Sequence, residues 1–447
     1  LGLNLKSLHL KKHINRDFDS LKRNKMQDYN QMKIAVFHNL PSGGAKRALY
    51  GYVDYLTRNG HTVDVFVPST ANENYLPLEN VASSVTVFPI KKSFFGSKLS
   101  NLRYLLWVKS SPNDHEKTQM EIAEHINNKD YDVVFSEQDM YTLSPYFLKY
   151  IKKPAVYYCP QPSRYHDAIL KVVEKRAGDK QKGLKNLIEK VKHWYAVELE
   201  TKIDAYNASF SNYILSNSYF SRESLLRNYG LDSFVSYLGV DTELFKPLNL
   251  SQKESKEGEH EKEFEKNFVI SVGTCKPAKG YDFLIKSLGL VKPEIRPKLV
   301  IVSNASDTQW INYLKDLALK SSVELEIKDM IDDKELVELY NQAKLALYAP
   351  HLEPFGLVPL EAMACGTPVV GIKEGGVRES VIHNKTGLLT ERDELAFARA
   401  TTELLLNHGK REEMGKNGIE LVQNFWTLDH AGKRLEKHLK DALKRYG

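Results

Sequence analysis

The sequence predicts an α/β protein built from two doubly wound parallel-sheet domains that face a central cleft. Three observations carry that prediction. Short apolar runs alternate with helical patterns across residues 33–216, and a second series of the same kind crosses 268–371. Between them, residues 251–266 hold ten charged side chains in sixteen, the composition of a solvated linker. The runs are short and unbroken, which suits strands buried on both faces, as in parallel sheets. The chain's 447 residues, 42% hydrophobic and 27% charged, are enough for two or three domains and too apolar for a disordered polymer.

Residues 1–31 are basic, poorly patterned and open on Leu1, so a poorly structured extension is expected, with Met26 or Met32 as a candidate start. Lys33-Ile34-Ala35-Val36-Phe37-His38 reads as the first strand. Pro41-Ser42-Gly43-Gly44 breaks it, and a helix follows with Ala48, Tyr52, Tyr55 and Leu56 on one face and Gly60 at its end. Residues 61–67 return as a strand, so this unit needs a right-handed parallel crossover. Further strands are expected at 133–135, 155–158 and 213–216, then at 268–273, 298–302, 323–327, 345–348 and 368–371. A charged helix from about 428 to 445 ends the chain. The expected division is 1–31 extension, 32–246 first Rossmann-like domain, 247–266 linker, 267–426 second Rossmann-like domain, and 427–447 C-terminal helix. Two such domains place a cleft between the carboxyl ends of two sheets.

The 63 basic and 57 acidic residues leave a net charge of +6, too mild to mark a nucleic-acid partner. Cys159, Cys275 and Cys365 form neither a disulfide framework nor a zinc spacing and fit a reducing, cytoplasmic compartment. No apolar run reaches the roughly 18 residues of a membrane span. No G-x-G-x-x-G follows the first strand, which disfavours a nicotinamide-dependent dehydrogenase. Asp332-Asp333 reads as a helix cap with an acidic first turn rather than a metal-binding pair, and no metal is expected.

The chemistry concentrates in Glu353-Pro354-Phe355-Gly356-Leu357-Val358-Pro359-Leu360-Glu361, two carboxylates eight apart. Glu353 falls in the loop after strand 345–348, and Glu361 on the helix that the loop feeds. Pro359 suits a first helical turn, where its missing N–H costs nothing. The N–H groups around Phe355, Gly356 and Leu357 suit an anion, helped by the helix dipole. A carboxylate on each side of such a nest suits a nucleotide sugar, with sugar at one and ribose at the other. Spacing alone equally allows Glu353 to cap the helix and Glu361 to be solvated. Gly43-Gly44-Ala45 opens a helix after a strand, where glycines allow close approach to a phosphate or serve only the turn.

This block resembles the E-x7-E signature of the retaining glycosyltransferases of family 4, the group 1 set with the GT-B fold. Gly239-Val240-Asp241-Thr242-Glu243-Leu244-Phe245-Lys246-Pro247 resembles the interdomain GVD-x-x-x-F-x-P element of that family. Gly375-Gly376-Val377-Arg378-Glu379 with Thr386-Gly387-Leu388-Leu389 resembles its GG-x-x-E…TGLL element, and Gly273 with Lys279-Gly280 part of its phosphate loop. Gly43-Gly44-Ala45 is similar to the GGA loop across the cleft. The similarity runs from about Met32 to Trp426.

The resemblance implies roles. Glu353 touches donor-sugar hydroxyls, Glu361 holds the ribose, and Lys279 with amides near Gly356 and Leu357 neutralises the diphosphate. Gly273 and Thr274 belong to the phosphate loop, with Lys276 as a candidate for the oxygen that an arginine at 274 would reach. Phe355 belongs to the donor loop, and the base meets backbone near Lys328 to Ile331, at Met330 and Ile331. The first domain takes the acceptor side, and the C-terminal helix crosses back to it. No cofactor is implied beyond the nucleotide sugar.

Two departures stand out. Thr274 occupies a position where the family often carries arginine, and a hydroxyl does not replace a guanidinium fork. Residues 157–167 resemble a YCHTP-x-RY stretch, with Pro160 in place of its histidine. Arg164 and His166 follow it, and Glu137 and Asp139 follow a strand end. These four are candidates for the acceptor side, although each also reads as an ordinary loop residue. Residues 91–109 and 171–192 are basic and partly apolar, as a peripheral helix on an anionic membrane would be and as an ordinary surface helix also is.

The expected activity is transfer of a hexosyl group from GDP-mannose or a UDP-sugar to a hydroxyl of a lipid-linked or polysaccharide glycan, with retention. A GT-B sugar-nucleotide epimerase and a catalytically weak donor-binding relative are the alternatives.

Overall fold

The computed structural model describes residues 31–90, 114–163, 197–248, 267–303 and 307–447. The first sheet contains β1 (Lys33–Asn39), β2 (Thr62–Pro68), β3 (Ser84–Phe88), β4 (Val133–Asp139), β5 (Ala155–Tyr158), β6 (Tyr213–Ser216) and β7 (Phe234–Val235). Its order is β3-β2-β1-β4-β5-β6-β7, parallel throughout. The second contains β8 (Phe268–Val272), β9 (Lys298–Ser303), β10 (Leu325–Asp329), β11 (Leu345–Tyr348), β12 (Val369–Ile372) and β13 (Gly387–Thr390). Its order is β10-β9-β8-β11-β12-β13, again parallel.

Helices α1 (Gly44–Arg58), α2 (Asp114–Asn127) and α3 (Tyr219–Tyr229) flank the first sheet. Around the second lie α4 (Tyr281–Gly289), α5 (Thr308–Lys320), α6 (Asp333–Gln342), α7 (Leu357–Ala364), α8 (Val377–Ser380), α9 (Glu394–Leu406) and α10 (His408–Phe425). The last helix is α11 (Leu428–Tyr446).

Strand alternation assigns each face its own core. Ile34 and Val36 join one cluster with α1 and α11, whereas Ala35 and Phe37 join another with α2. In the second sheet Val300 and Val302 face α6 and α7, while Leu299 and Ile301 face α4, α5 and α9. The first of these clusters runs continuously through both domains by way of Phe245, Phe355 and Trp426.

One strand begins later than the sequence suggests. The expected 323–327 is β10 at Leu325–Asp329. Ser322 adopts a left-handed φ of 53° and the Val323 N–H still bonds back to Ala318, so those residues finish α5. Strands β3 and β7 carry weak apolar signals because they lie at or beside the sheet edges.

The chain crosses between domains at two adjacent points. The Val240 N–H donates to the Trp426 carbonyl at 2.7 Å, and the Leu428 N–H donates back to Val240 at 3.2 Å. Helix α11 then lies on α1 of the first domain, burying Ala431, Leu435, Leu439, Ala442 and Leu443. Approach is close enough that a Cβ on Gly432 would stand 2.1 Å from the Tyr55 ring. Among the described residues no helix is long and apolar enough to cross a membrane.

Candidate active site

Strand order reverses between β1 and β4 in one sheet and between β8 and β11 in the other. Ligands bind outside the carboxyl ends of strands at such switch points. The loop after β8 carries Gly273, Thr274, Lys276 and Lys279, and the loop after β11 carries Glu353, Phe355 and Gly356. Lys279 Nζ donates to Glu353 Oε2 at 2.8 Å, and both side chains are partly exposed. The loops are joined by the His351 N–H donating to Ala278 at 2.8 Å. Gly280 has φ +70°, and a Cβ there would lie 2.1 Å from the Ala349 carbonyl oxygen, so only glycine fits after Lys279. Arg392 completes the frame, bonding the Ala349 and Pro350 carbonyls and pairing with Glu374.

Gly375 and Gly376 hold the Glu353 loop from behind. The Gly376 N–H donates to the Glu353 carbonyl at 2.9 Å, and a Cβ on either glycine would collide with backbone of 353–355. Phe355 is buried against Tyr237 and Trp426, with ring centroids 6.1 and 5.6 Å away. Gly356, at φ +89°, turns the chain into α7, which starts without a side-chain cap. Helix α7 therefore presents its first N–H groups and the positive end of its dipole beside the Lys279–Glu353 pair. On its next turn Glu361 accepts from Tyr340 Oη at 3.0 Å. Burial raises the pKa of Glu361, and Arg47 partly offsets this.

The first domain meets this wall directly. A Cβ on Gly44 would lie 3.5 Å from Leu357 Cδ1, so the starts of α1 and α7 face each other. Gly43 is at φ +136° with nothing within 4 Å of its missing Cβ, which leaves space over the cleft. One turn along α1, Arg47 Nη2 bonds both oxygens of Asp333 at 2.8 and 2.9 Å and Tyr75 Oη at 2.9 Å. Sequence reading missed Arg47 because its partner is 286 positions away. Asp332 caps α6 as expected, accepting the Glu335 N–H at 2.8 Å.

It also missed a buried charge cluster behind the glycine loop. Lys46, with no exposed side-chain surface, ion-pairs with Glu73, and His38 Nε2 lies 3.0 Å from the same carboxylate. Burial pushes Glu73 upward, but hydrogen bonds from His38, Lys46 and the Leu78 N–H outweigh it and hold the acid at about 2. Burial also lowers His38. The alternation of Lys46 with apolar α1 positions was the available sign that it points inward.

Other expected residues fall elsewhere. Met330 is 74% exposed at φ +56°, directly after β10, with Ile331 partly buried beside it. Lys276 is exposed and Thr274 partly so. Glu137 and Asp139 do not line the cleft, as an acceptor-steering role requires, for they are 1% and 2% exposed. Asp139 bonds Asn39, Gln119 and the N–H groups of Tyr141 and Thr142, which anchors the turn after β4. Burial pushes Glu137 up to about 8. Arg164, His166, both basic stretches at 91–109 and 171–192, and the charged run 251–266 lie outside the described residues.

Comparison with known proteins agrees with this arrangement. A model of the family "Glycosyltransferase Family 4" matches residues 42–244, and one of "Glycosyl transferases group 1" matches 252–421. A D-inositol 3-phosphate glycosyltransferase of Xylanimonas cellulosilytica is 27% identical over 245 residues, covering 53% of this chain and 58% of that protein. The putative glycosyltransferase YtcC of Bacillus subtilis is 28% identical over 222 residues, covering 47% and 54%. The chain thus spans just over half the length of these curated relatives. Among solved structures, HepE of Anabaena in complex with UDP and glucose superposes with TM-score 0.62 at 20% identity, over 92% of this chain and 100% of that one. Sucrose-phosphate synthase of Thermosynechococcus elongatus gives 0.65 at 18%, over 92% and 98%. With two family models that together span most of its length and the two-sheet architecture to match, the chain belongs to the group 1, family 4 glycosyltransferases of GT-B fold.

Proposed function

We propose that this protein transfers a hexosyl group, with retention, from a nucleotide diphosphate sugar to a hydroxyl of a lipid-linked or polysaccharide glycan. One observation carries the reading. The Lys279–Glu353 pair stands beside the uncapped start of α7, with Glu361 one turn further on and Gly43-Gly44 opposite. A donor exchanges partners with that pair, its phosphate taking Lys279 and a sugar hydroxyl taking Glu353. Glu361 accepts from ribose hydroxyls.

In the step itself the bond from the anomeric carbon to the β-phosphate oxygen breaks, its electron pair leaving with the diphosphate. The acceptor oxygen bonds to the same face of that carbon, and its proton passes to the departing phosphate oxygen. Charge grows on the phosphate, so the ammonium of Lys279 and the N–H groups at the α7 start favour the transition state over the ground state. In this reading the donor needs no cofactor. Closure of the two domains around it keeps water from the anomeric carbon. The basic stretches of the sequence support a membrane-presented acceptor on the cytoplasmic face.

The test is thermal stabilisation by GDP-, UDP- and ADP-sugars, with Glu361→Ala as control, followed by donor turnover with and without acceptor. Ligands of the native state raise the melting temperature by mass action. A shift with one base that the variant loses supports the reading. Epimerised donor without acceptor overturns transfer, and no shift with any donor moves the weak-relative alternative to the front. The name of HepE, with its UDP and glucose, puts UDP-glucose first in the panel.

A further inference from the structure

We propose, building on the nucleotide-sugar reading, that Arg47 is the first domain's own contact with the bound nucleotide and trades Asp333 for the donor when the cleft fills. Its position is fixed by independent contacts. Among the described residues all three of its side-chain hydrogen bonds leave from Nη2, to Asp333 and Tyr75. Nη1 and Nε therefore keep N–H groups for a ligand. The guanidinium stands 5.9 Å from the centroid of the Phe245 ring. Phe245 in turn meets Tyr340 edge-on at 6.1 Å, and Tyr340 donates to Glu361 at 3.0 Å. The interdomain segment thus supplies a ring that sets Arg47 beside the support of Glu361.

The two partners of the ion pair are unequally held. The Arg47 side chain is 19% exposed and that of Asp333 45%. Packing places the arginine, and the more exposed aspartate is the replaceable member. Asp333 opens α6 two residues after Ile331, at the end of the cleft read as the base site. A nucleoside diphosphate there offers phosphate oxygens and ribose hydroxyls, which a guanidinium fork matches. Thr274 leaves the phosphate loop of the second domain without such a fork, and Arg47 brings one from the opposite wall.

The experiment is calorimetric titration of UDP and GDP into the full chain and four variants, Glu361→Ala, Arg47→Ala, Arg47→Lys and Asp333→Asn, each first checked by melting without ligand. Arg47→Ala is expected to weaken binding at least tenfold, about 1.4 kcal/mol. Arg47→Lys keeps the charge without the fork and falls between. Asp333→Asn removes the competitor, so binding holds or tightens by roughly two- to fivefold, a one-pair exchange effect. A pair that merely latches the domains predicts the same loss from both sides, and equal weakening by Arg47→Ala and Asp333→Asn overturns the proposal. So does unchanged affinity in Arg47→Ala while Glu361→Ala weakens binding, which leaves the nucleotide reading intact. A wild-type chain that binds neither nucleotide sinks that reading and this inference together.

Discussion

The carboxylate of Glu379 accepts the backbone N–H of Tyr219 at 2.9 Å and that of Phe220 at 3.1 Å, so the second domain supplies the anion at the start of α3 in the first. Tyr237 Oη donates to the same group at 2.9 Å, and Ser218 Oγ donates to the Pro354 carbonyl at 2.5 Å. A carboxylate is favourable at a helix N-terminus because it meets both free donors and the dipole. Glu379→Ala should cost on the order of 1–2 kcal/mol. It should also enlarge the radius of gyration in small-angle scattering as the domains part. Glu379→Gln, which keeps an acceptor oxygen, should lose less. An unchanged melting temperature in both variants would show that these contacts do not hold the domains.

Gly376 tests whether the glycine pair places Glu353. Its φ of −77° and ψ of −11° suit alanine, so strain is not at issue. A Cβ would nonetheless stand 2.3 Å from the Pro354 carbonyl oxygen. Gly376→Ala should push the 353–355 segment into the cleft. Turnover should drop about 10²-fold, the scale for a misplacement of about 1 Å at reacting groups. Circular dichroism should stay native. Activity within threefold of wild type would refute the placement.

Lys279→Met should lower transfer by roughly 10²–10³ at saturating donor, the scale for losing one preorganised charge at a developing anion. Stability should barely change, because the partly exposed pair with Glu353 is worth no more than about 1 kcal/mol. Initial rates and thermal melting, measured on the same preparation, separate the two. A large stability loss with normal turnover would reverse the assignment.

Glu137 gives a pH signature. Its pKa rises from 4.5 to about 8 through burial, which the Gln138 N–H, donating to Oε2 at 3.4 Å, offsets only in part. Between those values the folded chain holds a proton that the unfolded chain has released. Stability therefore falls as pH rises across that window and levels off above it. Glu137→Gln removes the cost of ionising in place, so melting at about pH 9 should rise against wild type and change little at about pH 4. Equal shifts at both pH values would contradict a buried, protonated acid.

Local patterns carried much of the fold and part of the site. The strand and helix periods of 33–67 and 345–371 are properties of neighbouring residues, so the parallel crossovers were legible without tertiary information. The loop, turn and helix that carry Glu353, Gly356 and Glu361 were legible for the same reason, since they follow in one continuous stretch, whereas the roles read for these residues came from the family resemblance. The resemblance to a family assigned Lys279 and Glu353 separate roles toward one donor, and only the structure showed that the two, 74 positions apart, pair directly. Glu137 was misplaced because a strand end reads as open until the helices covering it are known; here Tyr52 and Tyr158 share its buried face.

Neighbouring residues alone dictate the two sheets and the loop, turn and helix that carry Glu353 and Glu361. These follow from steric limits and periodicities that act within a few residues. It took the folded arrangement to bring Arg47 to Asp333, Glu379 to the start of α3, Lys46 to Glu73 in the interior, and Gly44 to Leu357. Each of these joins elements far apart in the chain. A charge or a small residue does not name its partner; packing does, when it removes both from water and leaves each with one group in reach.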